Sequence, residues 1–166
     1  SVTFNGIMFD IIAHDSLVID SLALKLAAAG TSGVSAFYVN HSYFGMEDSA
    51  QVWTSWGTDT VTATLPDQFC TVNFGSKSLY PADTLGVYLM MQNGVNLRYL
   101  GVSQVANYTS GALELRSGTG KAYNFGASYF PRLWNGEVFY HYGFNPQGDC
   151  HKDTLVQAVV DAFPIF

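Results

Sequence analysis

The sequence predicts an all-β protein: an antiparallel β-sandwich, jelly-roll-like, with a C-terminal apolar extension. Three observations carry this. Hydrophobic residues make up 48% of the 166 positions and charged residues only 12%, a composition that supports a packed core and argues against disorder. The chain holds 16 glycines together with many Phe, Tyr and Thr, the profile of short strands joined by glycine turns. Apolar and polar residues alternate with period two in several short runs, as they do along a strand with one buried face.

In chain order, Ile7, Phe9 and Ile11 share one face of a first strand, while Met8, Asp10 and Ile12 share the other. A second run covers 17–26, with Asp20 and Lys25 as its charges, and a third covers 34–41 after the turn Thr31-Ser32-Gly33. Residues 58–65 place Thr58, Thr60, Thr62 and Thr64 on one side and Val61, Ala63 and Leu65 on the other, one face wet and one dry. A row of threonines also resembles an ice-binding face, but no other strand repeats the pattern. The runs 85–92 and 95–100 flank Asn93-Gly94 and read as a hairpin closed by a type I′ turn, since both turn residues tolerate positive φ. Two shorter runs, 113–116 and 138–142, bring the total to about eight to ten strands, which suits a sandwich. Pro66, Pro81 and Pro131 fall between the runs.

The length fits one domain, read as a sandwich over 1–145 and a tail over 146–166. The tail follows Asn145-Pro146-Gln147-Gly148 and carries Leu155, Val156, Val159, Val160, Phe163, Ile165 and Phe166. Thr154 and Gln157 have capping-box spacing, which favours a helix; the valines and Pro164 favour an extended segment. In either form so apolar a terminus needs a surface to cover it.

A net charge of −6, with 7 Lys and Arg dispersed among 13 Asp and Glu, leaves no basic patch for nucleic acid or anionic lipid. No apolar run approaches the roughly 20 residues that span a bilayer, so membrane insertion is not expected. Residues 1–6 do not read as a signal peptide, and Ser1 reads as a processed or trimmed start. Cys70 and Cys150 lack CxxC spacing, which leaves either one long-range disulfide or two free thiols. Two sequons, Asn40-His41-Ser42 and Asn107-Tyr108-Thr109, with few lysines, point to an extracellular location.

Catalytic templates are missing. There is no GxSxG or HExxH, and Gly118-Thr119-Gly120-Lys121 lacks both the upstream glycine of a phosphate loop (Leu115 stands there) and its following Ser or Thr (Ala122). It reads as a turn. His14, His41, His141 and His151 lack metal-ligand spacing. Asp10, Asp20, Glu47 and Asp48 offer oxygen ligands for a structural calcium ion, but no spaced Asp/Asn/Gly loop surrounds them, so no cofactor is expected. Aromatic residues are in surplus, among them Tyr38, Phe44, Tyr123 and Tyr129. Most are expected in the core, with Tyr43, Trp53, Trp56 and Trp134 as candidates for stacking on glycan rings.

The segments Gly6-Ile7-Met8-Phe9-Asp10-Ile11, Ser42-Tyr43-Phe44-Gly45-Met46-Glu47 with Trp53, Gly118-Thr119-Gly120-Lys121-Ala122-Tyr123-Asn124-Phe125-Gly126 and Pro131-Arg132-Leu133-Trp134-Asn135-Gly136 together resemble a β-sandwich module of unassigned activity found in secreted and cell-surface proteins of bacteria and algae. The resemblance covers residues 6–142 and implies fold and location more than activity. The family pattern has proline where this chain has Asn124. The tail with Cys150 lies outside it, and Cys70 lies between matching motifs, which makes a Cys70–Cys150 bridge tying tail to sandwich an attractive expectation, worth about 4 kcal/mol by limiting the unfolded chain.

These readings converge on a non-enzymatic extracellular structural or assembly module, a subunit of a surface filament or fibril. Its terminal segment would contact neighbouring copies or extracellular domains by strand addition. The alternative is a carbohydrate-binding module that uses loop aromatics.

Overall fold

The alternating runs form an all-β antiparallel sandwich. The computed structural model describes residues 2–92, 96–143 and 156–160, with residues 2–4 and 156–160 described by backbone alone. Its strands are β1 (Val2–Phe4), β2 (Gly6–Ala13), β3 (Leu17–Lys25), β4 (Gly30–Val39), β5 (Thr54–Ala63), β6 (Phe69–Val72), β7 (Lys77–Leu79), β8 (Thr84–Met91), β9 (Leu97–Gly101), β10 (Asn107–Ser110), β11 (Leu113–Lys121), β12 (Ser128–Trp134), β13 (Gly136–Tyr142) and β14 (Val156–Val160). One sheet has the order β1-β9-β12-β11-β2-β8-β4-β5, with β10 also on β11; the other runs β14-β13-β3-β6, with β7 also on β3.

The period-two pattern decides which side chains meet between the sheets. Ile7, Phe9 and Ile11 of β2, Val34 and Ala36 of β4, and Leu85, Val87 and Leu89 of β8 belong to the same core cluster as Ile19, Leu22 and Leu24 of β3 and Val138 and Tyr140 of β13. Phe9 stacks on Trp134 with ring centroids 4.4 Å apart. Along the β5 side the sheets are tied at their rim: Asp59 accepts the Asn73 amide at 2.9 Å and the Trp56 indole N–H donates to the Gly75 carbonyl at 2.9 Å.

Three expectations change, and one open alternative is resolved. The runs on either side of Asn93-Gly94 are not hairpin partners, because β8 pairs with β2 and β4 while β9 pairs with β1 and β12; the turn residues themselves lie outside the described residues. Both edges of β8 are thus already filled. Gly118-Thr119-Gly120-Lys121 is not a turn but the second half of β11. Its glycines serve close packing: a Cβ on Gly118 would run into the Met8 carbonyl oxygen, and one on Gly120 into the Tyr99 hydroxyl. Pro131 lies inside β12, at a break in register where Arg132 pairs with Gly118 and Tyr129 with Gly120, so its missing N–H costs no ladder bond. Finally, Val156–Val160 of the tail is extended, and it pairs antiparallel with β13 from Gly136↔Val160 to Tyr140↔Val156. The sandwich therefore reaches beyond residue 145, and of the two forms left open for this stretch the strand is the one adopted.

Gly118→Ala is expected to lower the unfolding free energy by about 1–3 kcal/mol or more, because the new methyl forces two paired strands apart. Chemical denaturation measures this; a midpoint equal to the parent's would contradict the close approach of β11 and β2.

Candidate binding surface

Sandwich strands need only one apolar face, yet β2 is buried at all its positions. Its second face belongs to a separate cluster on the outside of the larger sheet: Met8, Val39, Tyr43, Trp53, Tyr88 and Met90, with Phe37, Met46 and Phe125 packed against them. Two segments cover this layer, the loop 40–53 between β4 and β5 and the turn 122–127 between β11 and β12. The rings interlock, with Tyr88 and Phe125 4.8 Å apart and Trp53 6.0 Å from Tyr88. Burial pushes the Tyr88 hydroxyl up to about 12.

Asp10 pins the loop from below. Only 3% exposed, it accepts the Ser42 hydroxyl at 2.5 Å and the Tyr43 amide at 2.8 Å. Burial raises its carboxyl above the ordinary value, and the two hydrogen bonds pull partly the other way. Beside it Gly86 donates its amide to the His41 carbonyl at 2.8 Å. A Cβ there would lie 2.6 Å from Val39 Cγ2 and 2.8 Å from the Tyr43 nitrogen, so the loop passes over β8 only because that position is glycine. The Trp53 indole donates to the Met46 carbonyl at 2.9 Å. A second latch is Lys121: its side chain is wholly buried and its ammonium donates to Asp48 Oδ1 at 3.1 Å and Ser128 Oγ at 2.8 Å.

What this platform shows to solvent is aromatic. Phe44 is 68% and Phe130 50% exposed, with ring centroids 6.4 Å apart in an edge-to-face arrangement; Tyr123 on the covering turn is also exposed. The sequence candidates for glycan stacking lie elsewhere. Tyr43, Trp53 and Trp134 are buried and present no face to a sugar, because two roof the outer layer and the third fills the core. Trp56 is half-buried between Tyr38 and Phe74.

Three of the four acidic candidates, Asp10, Asp20 and Asp48, are engaged in holding the fold. Asp10 and Asp48 are the anchors just described, and Asp20 lies 2.8 Å from His141 Nδ1 across β3 and β13. Among the described residues, no three His, Cys, Asp or Glu side chains gather in one place. Asn40 and Asn107 are both exposed. Cys70 is buried on β6 with Sγ 3.6 Å from the Thr62 carbonyl, while Cys150, the other half of the expected bridge, lies outside the described residues. So do Leu155, Phe163, Ile165 and Phe166 of the tail, whereas Val156, Val159 and Val160 are on β14. Sequence reasoning missed Lys121 and Phe130; a lysine inside a small-residue strand run was the available signal for the first. Asn124 has φ 53°, which a proline ring cannot reach, so this turn cannot take a proline at that position.

No family model, curated protein or solved structure matches this chain.

Because the Asp10 pKa is raised in the folded state, the folded chain holds this proton more tightly, and the group's stabilising contribution is complete below its unfolded value and lost as pH rises through its folded one. Asp10→Asn keeps an acceptor for Tyr43 and removes the charge, so its stability relative to the parent should climb with pH towards neutrality. Asp10→Ala strands both donors and should cost about 1–3 kcal/mol. Denaturation midpoints across the acid range check both; parallel curves for the parent and Asp10→Asn would contradict the assigned cause.

Proposed function

We propose that this chain is a non-catalytic extracellular module that joins neighbouring copies, or neighbouring extracellular domains, through its terminal segment. The observation that carries the reading is β14: a valine-rich segment, next after β13 in the chain, lies in five-residue register along the edge of that strand. Pairing of this kind draws its affinity from backbone hydrogen bonds and its register from alternate side chains. A strand that covers an edge of its own sheet can equally be supplied by a second copy, since the two edges are identical in chemistry. Head-to-tail exchange of that sort builds open chains of subunits, the geometry of a filament.

The carboxylates of Asp10, Asp20 and Asp48 are engaged in holding loops and strands, which supports a structural role. Exposure of both sequon asparagines favours a secreted glycoprotein. The sequence likeness to bacterial and algal surface modules points the same way, with Asn124 as its point of departure. The mass distribution of the full chain in solution should depend on concentration, whereas a chain ending at Gly143 should stay monomeric and capture an added peptide of residues 151–166. A full chain that is monomeric at every concentration, with no peptide capture by the shortened one, would contradict the assembly role.

A second reading rests on the exposed ring pair, Phe44 on the pinned loop and Phe130 on β12. In this reading the module binds glycans there rather than through the four residues expected from sequence. The double variant Phe44→Ala/Phe130→Ala should then lose retention on a polysaccharide resin on which the parent is delayed; equal elution of the two would rule this site out.

A further inference from the structure

The face of β5 turned away from the core is a ladder of threonines. Thr58, Thr60 and Thr62 are exposed, while Val61 between the last two is 3% exposed; Thr64, just past the strand, donates its hydroxyl to Gln68 Oε1 at 3.0 Å. Two residues of strand advance about 6.8 Å, so the hydroxyls recur at a constant interval. Beside this row β4 runs without a register break from Gly30↔Ala63 to Ala36↔Gly57. It sets Thr31 opposite Thr62, with the two Oγ atoms 2.9 Å apart, Gly33 opposite Thr60 and Ser35 opposite Thr58. The Gln92 side chain lies over Gly33, where a Cβ would meet its amide, and donates to Ser35 Oγ at 2.7 Å. None of the side chains that these two strands present on this stretch of the face carries a charge; Asp59 points to the other side, towards the Asn73 amide.

The chemistry of the ladder narrows what it can hold. Hydroxyl contacts to a dissolved sugar replace equivalent contacts to water with little net gain, and the stretch from Thr31 to Ser35 beside the threonines carries no ring on which a sugar could stack. A solid made of water is a different ligand. Threonine is stiff about χ1, so its methyl and hydroxyl groups stand at fixed positions along the strand. Methyl groups restrict the orientation of first-shell water; the Thr58 and Thr60 hydroxyls each offer one donor and two acceptor sites to it, while the Thr31 and Thr62 hydroxyls, bonded to each other, offer what that bond leaves. A charged side chain would instead gather its own hydration shell and interrupt such a layer.

We propose that the β4–β5 face adsorbs to crystalline water, giving the protein an ice-binding activity independent of its terminal strand. The test is uptake of the dye-labelled full chain into a slowly growing ice hemisphere, together with inhibition of ice recrystallisation in frozen sucrose. The parent should enter the ice and restrain grain growth. Thr60→Tyr, which keeps a strand-favouring residue but raises a bulky ring above the row, should lose both effects, whereas Thr71→Tyr, at an exposed threonine on β6, should retain them. Thr62→Lys gives a second disruption should Thr60→Tyr fail to melt cooperatively, and it is expected to lose both effects too. Exclusion of the parent from ice, or uptake of a folded Thr60→Tyr or Thr62→Lys equal to the parent's, would overturn the proposal; so would retention on insoluble polysaccharide by this face without uptake into ice.

Discussion

The burial of both faces of β2 and β8 is the constraint from which much of the molecule follows. A sandwich strand hides one face against the opposite sheet, and the other normally meets water. Here Met8, Tyr88 and Met90 lie on the outward face and are as dry as the core. Something must cover them, and the cover is loop rather than sheet. Ordering a loop costs about 1–2 kcal/mol for each residue fixed, while burying a large apolar side chain returns about 1.5–3 kcal/mol. A long loop is therefore held only if many of its residues are engaged. That is what Asp10, Gly86, Trp53 and Lys121 accomplish: two hydrogen bonds, one close passage, one indole donor and one buried ammonium fix the loop at separate points. The exposed ring of Phe44 owes its position beside Phe130 of β12 to that fixing.

Much of the fold was legible because alternation is a property of one strand, and one strand can be read alone. Residues 7–12, 58–65, 85–92 and 113–116 all lie on or close to real strands for that reason. Pairing was not legible, since it depends on which edges are still free. Asn93-Gly94 is a strong hairpin signal, yet 85–91 is apolar on both faces, the mark of a central strand whose two edges were to be filled by β2 and β4. The glycines of 118–121 misled in a similar way. Read locally they mean a turn; in place they allow a strand to pass against Met8 and Tyr99. Pro131 is accommodated by a register shift that no local pattern announces.

The candidate surface was legible in kind but not in identity. Part of the aromatic surplus forms the outer layer, which the expectation of rings in the core and on glycans did not foresee. Which rings face water depends on loop geometry: Tyr43 and Phe44 are adjacent in sequence, yet the Asp10 contact to the Tyr43 amide turns one inward and leaves the other out. Lys121 shows the same limit for charge, because its role requires Asp48 from a loop far away in the chain.

Edges pose the same problem as faces, since an unpaired edge is open to another strand. The β5 side is tied by Asp59 and Trp56, while the β13 edge is covered by β14, a segment supplied from beyond the sandwich strands in sequence. Whether that cover comes from the same chain or from a neighbour is the point on which the proposed role turns. The most direct measurement is isotope-filtered NMR on an equal mixture of differently labelled full-length chains, refolded together and observed between Val138 and Ala158. The account predicts cross-strand contacts between unlike labels that grow with concentration. Contacts confined to like labels at every concentration would show that β14 serves only its own sheet and would contradict assembly through it.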